Sequence, residues 1–263
     1  MHKFSELVTK ILPTGVKDRI RGMIGDYFRF NHTLTSGVRV VVRRPADFST
    51  YSELFVDGFY DKAIHDAINT SSEKINLLDL GSNVGFFAHR FADILIGQYP
   101  EIAHEKNVNI TMLEGTKFVA DESVFRLENN ADIIGKYEVI NGLVGKKEGA
   151  DFISTEYNYG YNSIANAKRN GKRVKVDYYN LDEKLATTKF DLIKCDIEGA
   201  EEDFIKSYCD LLASQPRLVF ELHHDLCDTK KCDRLLKERG FLSLDIYSND
   251  EISMVYYYRK QDG

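Results

Sequence analysis

A glycine-containing turn after an apolar run is the segment of this chain best suited to hold a ligand. It reads Asp79-Leu80-Gly81-Ser82-Asn83-Val84-Gly85 and lies between the apolar run 75–80 and a segment of helical apolar spacing, 84–96. Glycine lets the backbone turn tightly and approach a ligand closely, and asparagine tolerates a left-handed backbone. A strand, a glycine turn and a helix in this order build a cofactor pocket at the carboxyl end of a parallel strand. Asp79 beside the turn suits a ligand with an amino or hydroxyl group.

The spacing of the glycines separates two kinds of cofactor turn. A dinucleotide-binding turn has glycines at the positions of Gly81, Asn83 and Phe86, and only the first is glycine here. The chain also has no G-x-x-x-x-G-K-[ST] sequence, which excludes a P-loop. The pattern D-x-G-x-N-x-G instead resembles the first motif of class I S-adenosylmethionine-dependent methyltransferases. The alternative is a turn with a structural role only.

Polar residues also follow the next two apolar runs, where further parallel strands would end. The predicted strand 109–113 ends in Glu114, one strand–helix unit after the glycine turn. A carboxylate at that point is placed to accept the ribose hydroxyls of a nucleoside. The predicted strand 137–141 ends in Asn141 and Gly142, and the Asn141 amide is suited to an adenine edge.

Four residues after the fourth and fifth predicted strands are candidates for catalysis. Asp196 and Glu198 follow the fourth strand, and His223 and His224 follow the fifth, 217–222. A sulfonium methyl is already electrophilic, so an enzyme must align an acceptor hydroxyl with it and remove the hydroxyl proton. Histidine titrates near neutrality and suits the role of base. Neighbours in an extended segment point to opposite sides, so one of the two histidines is expected to be structural. Helix capping is the alternative for both carboxylates.

Three segments resemble the FkbM family of S-adenosylmethionine-dependent O-methyltransferases. They are 78–85, the Leu181-Asp182 turn, and 191–201, which is similar to the family run D-L-I-K-x-D-V-E-G-A-E with Ile197 in place of valine. The resemblance covers about residues 50–230. It implies S-adenosylmethionine as the methyl donor and transfer to an oxygen, mostly on sugars and polyketide-like natural products. The donor-binding residues it implies are Asp79, Gly81, Ser82, Asn83, Gly85, Glu114, Asn141 and Gly142.

The order of elements predicts an α/β fold of the class I methyltransferase type. Strands and helices alternate from 75 to 240, which indicates a doubly wound, Rossmann-like, mostly parallel sheet. Two apolar runs, 241–247 and 252–258, predict a C-terminal hairpin that adds an antiparallel strand. We expect an N-terminal extension over 1–70, with helices, a strand at 38–43 and a helix at 52–67. The S-adenosylmethionine-binding domain is expected over 71–263.

Two segments are candidates for contacts beyond the donor. The first 30 residues carry a net excess of Lys and Arg and an apolar stripe at helical spacing: Phe4, Leu7, Val8, Ile11 and Leu12. Such a helix packs on the core or on a second subunit, or docks peripherally on an anionic membrane. The insertion 145–185 contains a run rich in tyrosine and asparagine, 157–163. Aromatic faces with amides suit a sugar, and an ordinary β-hairpin is the alternative.

Composition restricts the classes of partner and compartment. The 263 residues include 35 Lys and Arg against 41 Asp and Glu, giving a net charge of −6, which argues against a nucleic-acid partner. The four cysteines show no disulfide or C-x-x-C pattern, so we expect a reducing cytoplasm. No apolar run reaches transmembrane length, and no signal peptide is visible.

A metal centre formed by convergence of these strand ends is an alternative that the sequence leaves open and does not favour. No zinc spacing is matched by Asp196, Glu198, His223 and His224, with Cys227 and Cys232 nearby.

Taken with the family resemblance, the sequence predicts a cytoplasmic O-methyltransferase that acts on a hydroxyl of a saccharide or glycolipid. The alternatives are a nucleic-acid or other small-molecule methyltransferase, and a scaffold that binds the donor without reacting.

Overall fold

The computed structural model describes residues 30–71, 74–104, 107–146, 150–154, 163–164 and 172–260. The strands are β1 Phe30–Thr33, β2 Arg39–Val42, β3 Lys74–Leu80, β4 Asn107–Glu114, β5 Lys136–Asn141, β6 Leu143–Val144, β7 Ala150–Ser154, β8 Ser163–Ile164, β9 Lys172–Val176, β10 Tyr178–Tyr179, β11 Leu192–Cys195, β12 Arg217–His223, β13 Leu242–Ser248 and β14 Ile252–Tyr258. The α-helices are α1 Pro45–Tyr51, α2 Asp61–Thr70, α3 Phe86–Gln98, α4 Pro100–Ala103, α5 Lys117–Glu128, α6 Ala131–Ile134, α7 Asp182–Thr187, α8 Glu201–Leu212 and α9 Thr229–Glu238.

Seven of the described strands form one mixed sheet in the order β13-β14-β12-β11-β3-β4-β5. Neighbouring strands from β12 to β5 are parallel. The C-terminal strand β14 pairs antiparallel with both β12 and β13. The predicted doubly wound sheet of class I methyltransferase type, with its antiparallel hairpin, is therefore confirmed.

This topology gathers the predicted site residues at one edge. The strands β3, β4, β5, β11 and β12 all run in the same direction, so their carboxyl ends meet there. Because β11 pairs directly with β12, the segments after Cys195 and Leu222 lie side by side. The turn after β3 lies next to both β11 and β4.

The prediction of one continuous helix over 52–67 is wrong, because the segment contains two separate helical pieces. Helix α1 continues into a π-helical turn, Ser52–Val56, and the chain then turns before α2 begins at Asp61. Gly58 makes this turn with a φ of +64°. A β-carbon there would lie 2.7 Å from Asp61 Oδ2, so the break depends on glycine. The predicted strand near 38–43 is confirmed as β2.

Part of the N-terminal extension belongs to the same core as the sheet. Val38, Val40 and Ile64 are fully buried in one apolar cluster with Leu77 and Phe91. The predicted helices within residues 1–29, with their proposed membrane contact, lie outside the described residues. So does most of the tyrosine-rich run 157–163. Among the described residues, every helix is too short or too polar to cross a membrane.

Candidate active site

The glycine turn after β3 adopts a strained backbone that its residue types permit. Gly81, Asn83 and Gly85 have φ angles of +72°, +50° and +85°. The N–H groups of Gly81 and Ser82 both donate to the carbonyl oxygen of Leu113 at 2.9 Å, which fixes the turn to β4. The buried Ser82 hydroxyl has no hydrogen-bond partner among the described residues. A buried hydroxyl in this condition is suited to a ligand.

Glu114 at the end of β4 braces the same turn. Its two carboxylate oxygens accept hydrogen bonds from the backbone N–H of Asn83 at 3.0 Å and of Thr116 at 2.8 Å. Burial raises the pKa of Glu114, and the two backbone hydrogen bonds oppose that rise. A carboxylate oxygen has more than one acceptor site. Glu114 therefore retains capacity for the ribose hydroxyls predicted from the sequence.

Asn141 and Gly142 lie beside Glu114 at the end of β5. The Asn141 amide donates to the carbonyl oxygens of Glu114 and Gly115, each at 2.9 Å. The N–H of Gly142 donates to the Glu114 carbonyl at 3.1 Å. Because both amide hydrogens hold the loop after β4, an adenine contact from Asn141 would use its carbonyl oxygen.

Asp79 pairs with a buried lysine below the turn. It is fully buried, and Lys194 Nζ lies 3.3 Å from its Oδ1. The same ammonium donates to the carbonyl oxygen of Gly81 at 2.7 Å and lies 3.5 Å from Asp196 Oδ2. Burial alone would lower the pKa of Lys194, but the carboxylates of Asp79 and Asp196 raise it above its usual value. Asp79 therefore supports the turn through Lys194, and its contact with the donor stays a prediction: both of its buried oxygens lack a hydrogen-bond partner among the described residues.

The predicted carboxylates and one histidine converge at the ends of β11 and β12. His223 Nε2 lies 3.6 Å from Glu198 Oε2 and 3.8 Å from Glu221 Oε1. Asp196, Glu221 and His223 each bring one side-chain oxygen or nitrogen within 4.8 Å of the others. The Asp196 side chain keeps 27% of its surface exposed, so a substrate can reach it.

His223 is surrounded by acids, which changes its titration. Its Nδ1 lies 3.3 Å from Oε1 of the buried Glu201. Burial lowers the pKa of His223, but the nearby carboxylates of Glu201, Asp196 and Glu198 outweigh it and raise the pKa to about 10. The surrounding acids therefore hold the pKa of His223 above the neutral range that made histidine a candidate base in the sequence.

The structure does not bring His224 to this cluster. Its Nδ1 lies 3.1 Å from the carbonyl oxygen of Asp250, and its Nε2 lies 2.7 Å from Ser253 Oγ. This imidazole fastens β12 to the C-terminal hairpin. The alternation of an extended segment separates the two histidines as predicted.

Glu201 holds the loop before α8, whereas no side chain caps this helix in the way that the sequence left open for Asp196 and Glu198. The Glu201 carboxylate accepts hydrogen bonds from the backbone N–H of Ile197 at 3.1 Å and of Gly199 at 3.0 Å. The turn before α8 also requires a left-handed backbone at Glu198, with a φ of +54°. Glu201 thus fixes the loop that carries Asp196 and Glu198.

Two further acids reach the site without having been predicted. Burial and the charge of Asp196 raise the pKa of Glu53, in the π-helical turn, to about 7. Burial and the charges of Asp196 and Glu53 raise the pKa of Glu221 well above its usual range. A glutamate within the apolar run 217–222 is a signal that could have identified Glu221. Glu53 has no such signal, because it lies in the π-helical turn, far from the strand ends in sequence.

The family model of the FkbM methyltransferase domain matches residues 66–243. Structurally similar chains include a class I S-adenosylmethionine-dependent methyltransferase from Listeria monocytogenes, with 10% identity, a TM-score of 0.42 and coverage of 79% of this chain and 61% of that one. WbdD has 15% identity and a TM-score of 0.43, with coverage of 80% and 40%. Magnesium protoporphyrin IX methyltransferase from Synechocystis, solved with bound S-adenosylmethionine, has 12% identity and a TM-score of 0.43, with coverage of 97% of both chains.

The present chain spans about three fifths of the Listeria protein and two fifths of WbdD. No curated protein sequence matches it. The family model, by contrast, covers more than half of the chain and includes the glycine turn, Glu114, Asp196 and His223. The chain belongs to the FkbM family of methyltransferases.

Proposed function

We propose that this protein is an O-methyltransferase that transfers the methyl group of S-adenosylmethionine to a hydroxyl of a saccharide. The observation that carries the proposal is the position of Asp196. Its carboxylate is partly exposed, and its backbone N–H donates to the Leu80 carbonyl at 3.0 Å, immediately before the glycine turn. A hydroxyl bound at Asp196 would therefore lie next to a donor bound at the turn.

The carboxylates around Asp196 fit the chemistry of an alcohol acceptor. The acceptor oxygen forms a bond to the methyl carbon as the carbon–sulfur bond breaks, and the bonding electrons return to sulfur, giving S-adenosylhomocysteine. The hydroxyl proton must leave at the same time, which calls for a base within hydrogen-bond reach. We assign this role first to Asp196, with Glu53 and Glu221 as its neighbours.

An aromatic pair at the same sheet edge supports a sugar acceptor. The rings of Phe59 and Tyr247 stack with centroids 4.9 Å apart, and both residues are partly buried. Tyr247 pairs with Met254, which pairs in turn with Glu221 on β12. Residues directly opposite on neighbouring strands share one face of the sheet, so Tyr247 and Glu221 face the same side. Apolar ring surface beside carboxylates suits the C–H faces and hydroxyls of a saccharide.

A transfer screen tests the proposed acceptor class. Labelled S-adenosylmethionine is incubated with the full chain and with saccharides, glycolipids, non-sugar alcohols and RNA. We expect label in the saccharide or glycolipid fraction, as an ether that resists mild alkali. Transfer to RNA or to a nitrogen would overturn the proposal, and donor binding without transfer to any acceptor would favour the scaffold alternative.

Substitutions at the acceptor side sharpen this test. Asp196→Asn should lower turnover by roughly 10²–10⁴-fold, the usual contribution of a general base, and leave donor affinity largely intact. Phe59→Ala and Tyr247→Ala should raise the KM for the saccharide more than they lower kcat. Phe125→Ala is the matched control, because this aromatic ring is exposed on α5 and contacts Arg43 instead of the acceptor side.

A further inference from the structure

We propose that Asp196, Glu221 and His223 form a binding site for one divalent cation on the acceptor side of the donor turn. Each residue presents one ligand atom, and these three atoms all lie within 4.8 Å of one another. Metal–ligand bonds of about 2.0–2.2 Å place two ligands of one ion roughly 3–4.3 Å apart. The three side chains therefore need only small movements to share an ion.

The orientation of His223 supports this assignment independently of the carboxylates. Nδ1 lies 3.3 Å from Glu201 Oε1 without hydrogen-bond geometry, and Nε2 lies 3.6 Å from Glu198 Oε2 and 3.8 Å from Glu221 Oε1, too far for a hydrogen bond. Histidines that bind metals almost always donate their second ring N–H to a carboxylate or a carbonyl oxygen. A bound cation would displace a proton from the ring. With Nδ1 nearest Glu201, the freed lone pair would lie on Nε2, which is the nitrogen nearer Glu221.

Glu201 is built to hold that imidazole. It is fully buried, and the backbone N–H groups of Ile197 and Gly199 fix its carboxylate. His223 itself is 9% exposed, so its ring has little freedom to turn away from the cluster. The orientation of the proposed ligand atom is thus a consequence of the fold.

The grouping of carboxylates also favours a cation. Asp79, Asp196 and Glu221 lie around the buried Lys194, whose Nζ is 3.3 Å from Asp79 and 3.5 Å from Asp196. Grouped carboxylates repel one another when little water screens them. A divalent ion between Asp196 and Glu221 would remove the repulsion between these two carboxylates when both are ionised.

The ligand set indicates which ions would fit. Carboxylates suit Mg²⁺ and Mn²⁺, and an imidazole suits the transition metals, so two carboxylates with one histidine fit Mn²⁺ well. A further role for the ion rests on the proposed function. Bound to the acceptor hydroxyl, it would lower the pKa of that hydroxyl and ease loss of the proton to a neighbouring carboxylate.

Manganese binding to the full chain tests the site directly. The protein is stripped with EDTA, dialysed and titrated with MnCl₂ without donor or acceptor, with calorimetry and electron paramagnetic resonance as readouts. We expect one Mn²⁺ per chain and an electron spin-echo signal from a coordinated nitrogen. Glu221→Gln, nearly isosteric, and His223→Ala should each weaken binding by at least about tenfold, and His223→Ala should also remove the nitrogen signal. His224→Ala is the matched control and should bind like the wild type.

Three outcomes would overturn the cation site. They are no binding at about 1 mM Mn²⁺, equal binding by wild type and Glu221→Gln, and a nitrogen signal lost in His224→Ala instead of His223→Ala. If His223→Ala does not fold, Glu221→Gln and Asp196→Asn decide the question.

Donor affinity measured in EDTA separates this proposal from the proposed function. Donor binding and methyl transfer without Mn²⁺ binding would overturn the cation site alone. Specific Mn²⁺ binding without any transfer would support the site and contradict the function.

Discussion

The backbones of Gly81 and Asp196 lie in close contact. A β-carbon added at position 81 would be only 1.6 Å from the carbonyl oxygen of Asp196. The glycine turn and the carboxylate of Asp196 are therefore joined where β3 and β11 end. Lys194 reinforces this connection by donating to the Gly81 carbonyl while lying between Asp79 and Asp196. A change at the turn will reach the acceptor side as well.

Replacing Gly81 by alanine should damage folding and donor binding together. The φ of +72° already disfavours a side chain, and the Asp196 backbone leaves no space for one. We expect a loss of more than about 3 kcal/mol in the free energy of unfolding, well above a typical point substitution. Urea unfolding and donor calorimetry would measure both effects.

Gly97→Ala is the matched control for this substitution. Gly97 lies in α3, and its added β-carbon would meet only Ser36 Cβ, at 3.9 Å. Alanine in a helix is favoured over glycine by about 0.5–1 kcal/mol, so this variant should be as stable as the wild type or slightly more. Equal stability of the two variants would show that Gly81 and Asp196 are not in close contact.

The buried ion pair of Arg126 and Asp47 should contribute strongly to the attachment of the extension. Both side chains are almost fully buried, with 2.8 Å between Arg126 Nη2 and Asp47 Oδ2. Arg126 also donates to the Val41 carbonyl at 2.9 Å, and Asp47 accepts from the Arg43 N–H at 2.7 Å. Arg126→Met would leave the Asp47 charge buried without its partner, at a cost of about 3–5 kcal/mol. Thermal or urea unfolding would measure it.

An exposed pair provides the comparison. Lys117 and Asp121 form an ion pair one helical turn apart on the surface of α5. Lys117→Met should cost less than about 1 kcal/mol, because water and salt screen exposed charges. If Arg126→Met costs no more than Lys117→Met, the two buried side chains do not depend on each other as the distances imply.

The parts of the site that the sequence predicted are those fixed by local pattern. The glycine turn, Glu114 and Asp196 each follow an apolar strand directly, and the parallel sheet brings strand ends together. Which of His223 and His224 enters the site depends on which face of β12 packs against α8. That tertiary contact cannot be predicted from the local sequence. Glu53 comes from a turn that the sequence predicted as continuous helix, so its approach to Asp196 was not foreseeable.

Lowering the pH from about 6.5 to 4 should reduce the free energy of unfolding, because His89 becomes protonated more easily in the unfolded chain. Burial lowers the pKa of this histidine to about 4, and its Nδ1 lies 2.6 Å from the Gly85 carbonyl. The unfolded chain takes up the proton below about 6.5. The folded chain does so only near pH 4, so stability is complete above 6.5 and falls between the two values. The loss should reach about 3 kcal/mol.

A variant that cannot titrate isolates this contribution from the acids that titrate in the same range. His89→Gln should show a shallower fall in the free energy of unfolding between pH 6.5 and 4 than the wild type, measured by urea unfolding at each pH. If the difference between the two proteins stays constant over that interval, His89 is protonated at the same pH in the folded and unfolded chains, and its burial does not control its charge.

Removing the carboxylate of Glu114 should weaken donor binding. Glu114 ends β4 beside the glycine turn and accepts the N–H of Asn83, so it both shapes the turn and faces the predicted ribose position. Glu114→Ala should cost about 1–3 kcal/mol of binding free energy for S-adenosylmethionine, the range for a hydrogen bond to a charged group. Calorimetry at a temperature where the variant is folded would measure this.

Glu138→Gln is the matched control, because this exposed acid on β5 pairs with Lys184. An unchanged dissociation constant in Glu114→Ala would place the ribose elsewhere and leave Glu114 a support of the turn alone.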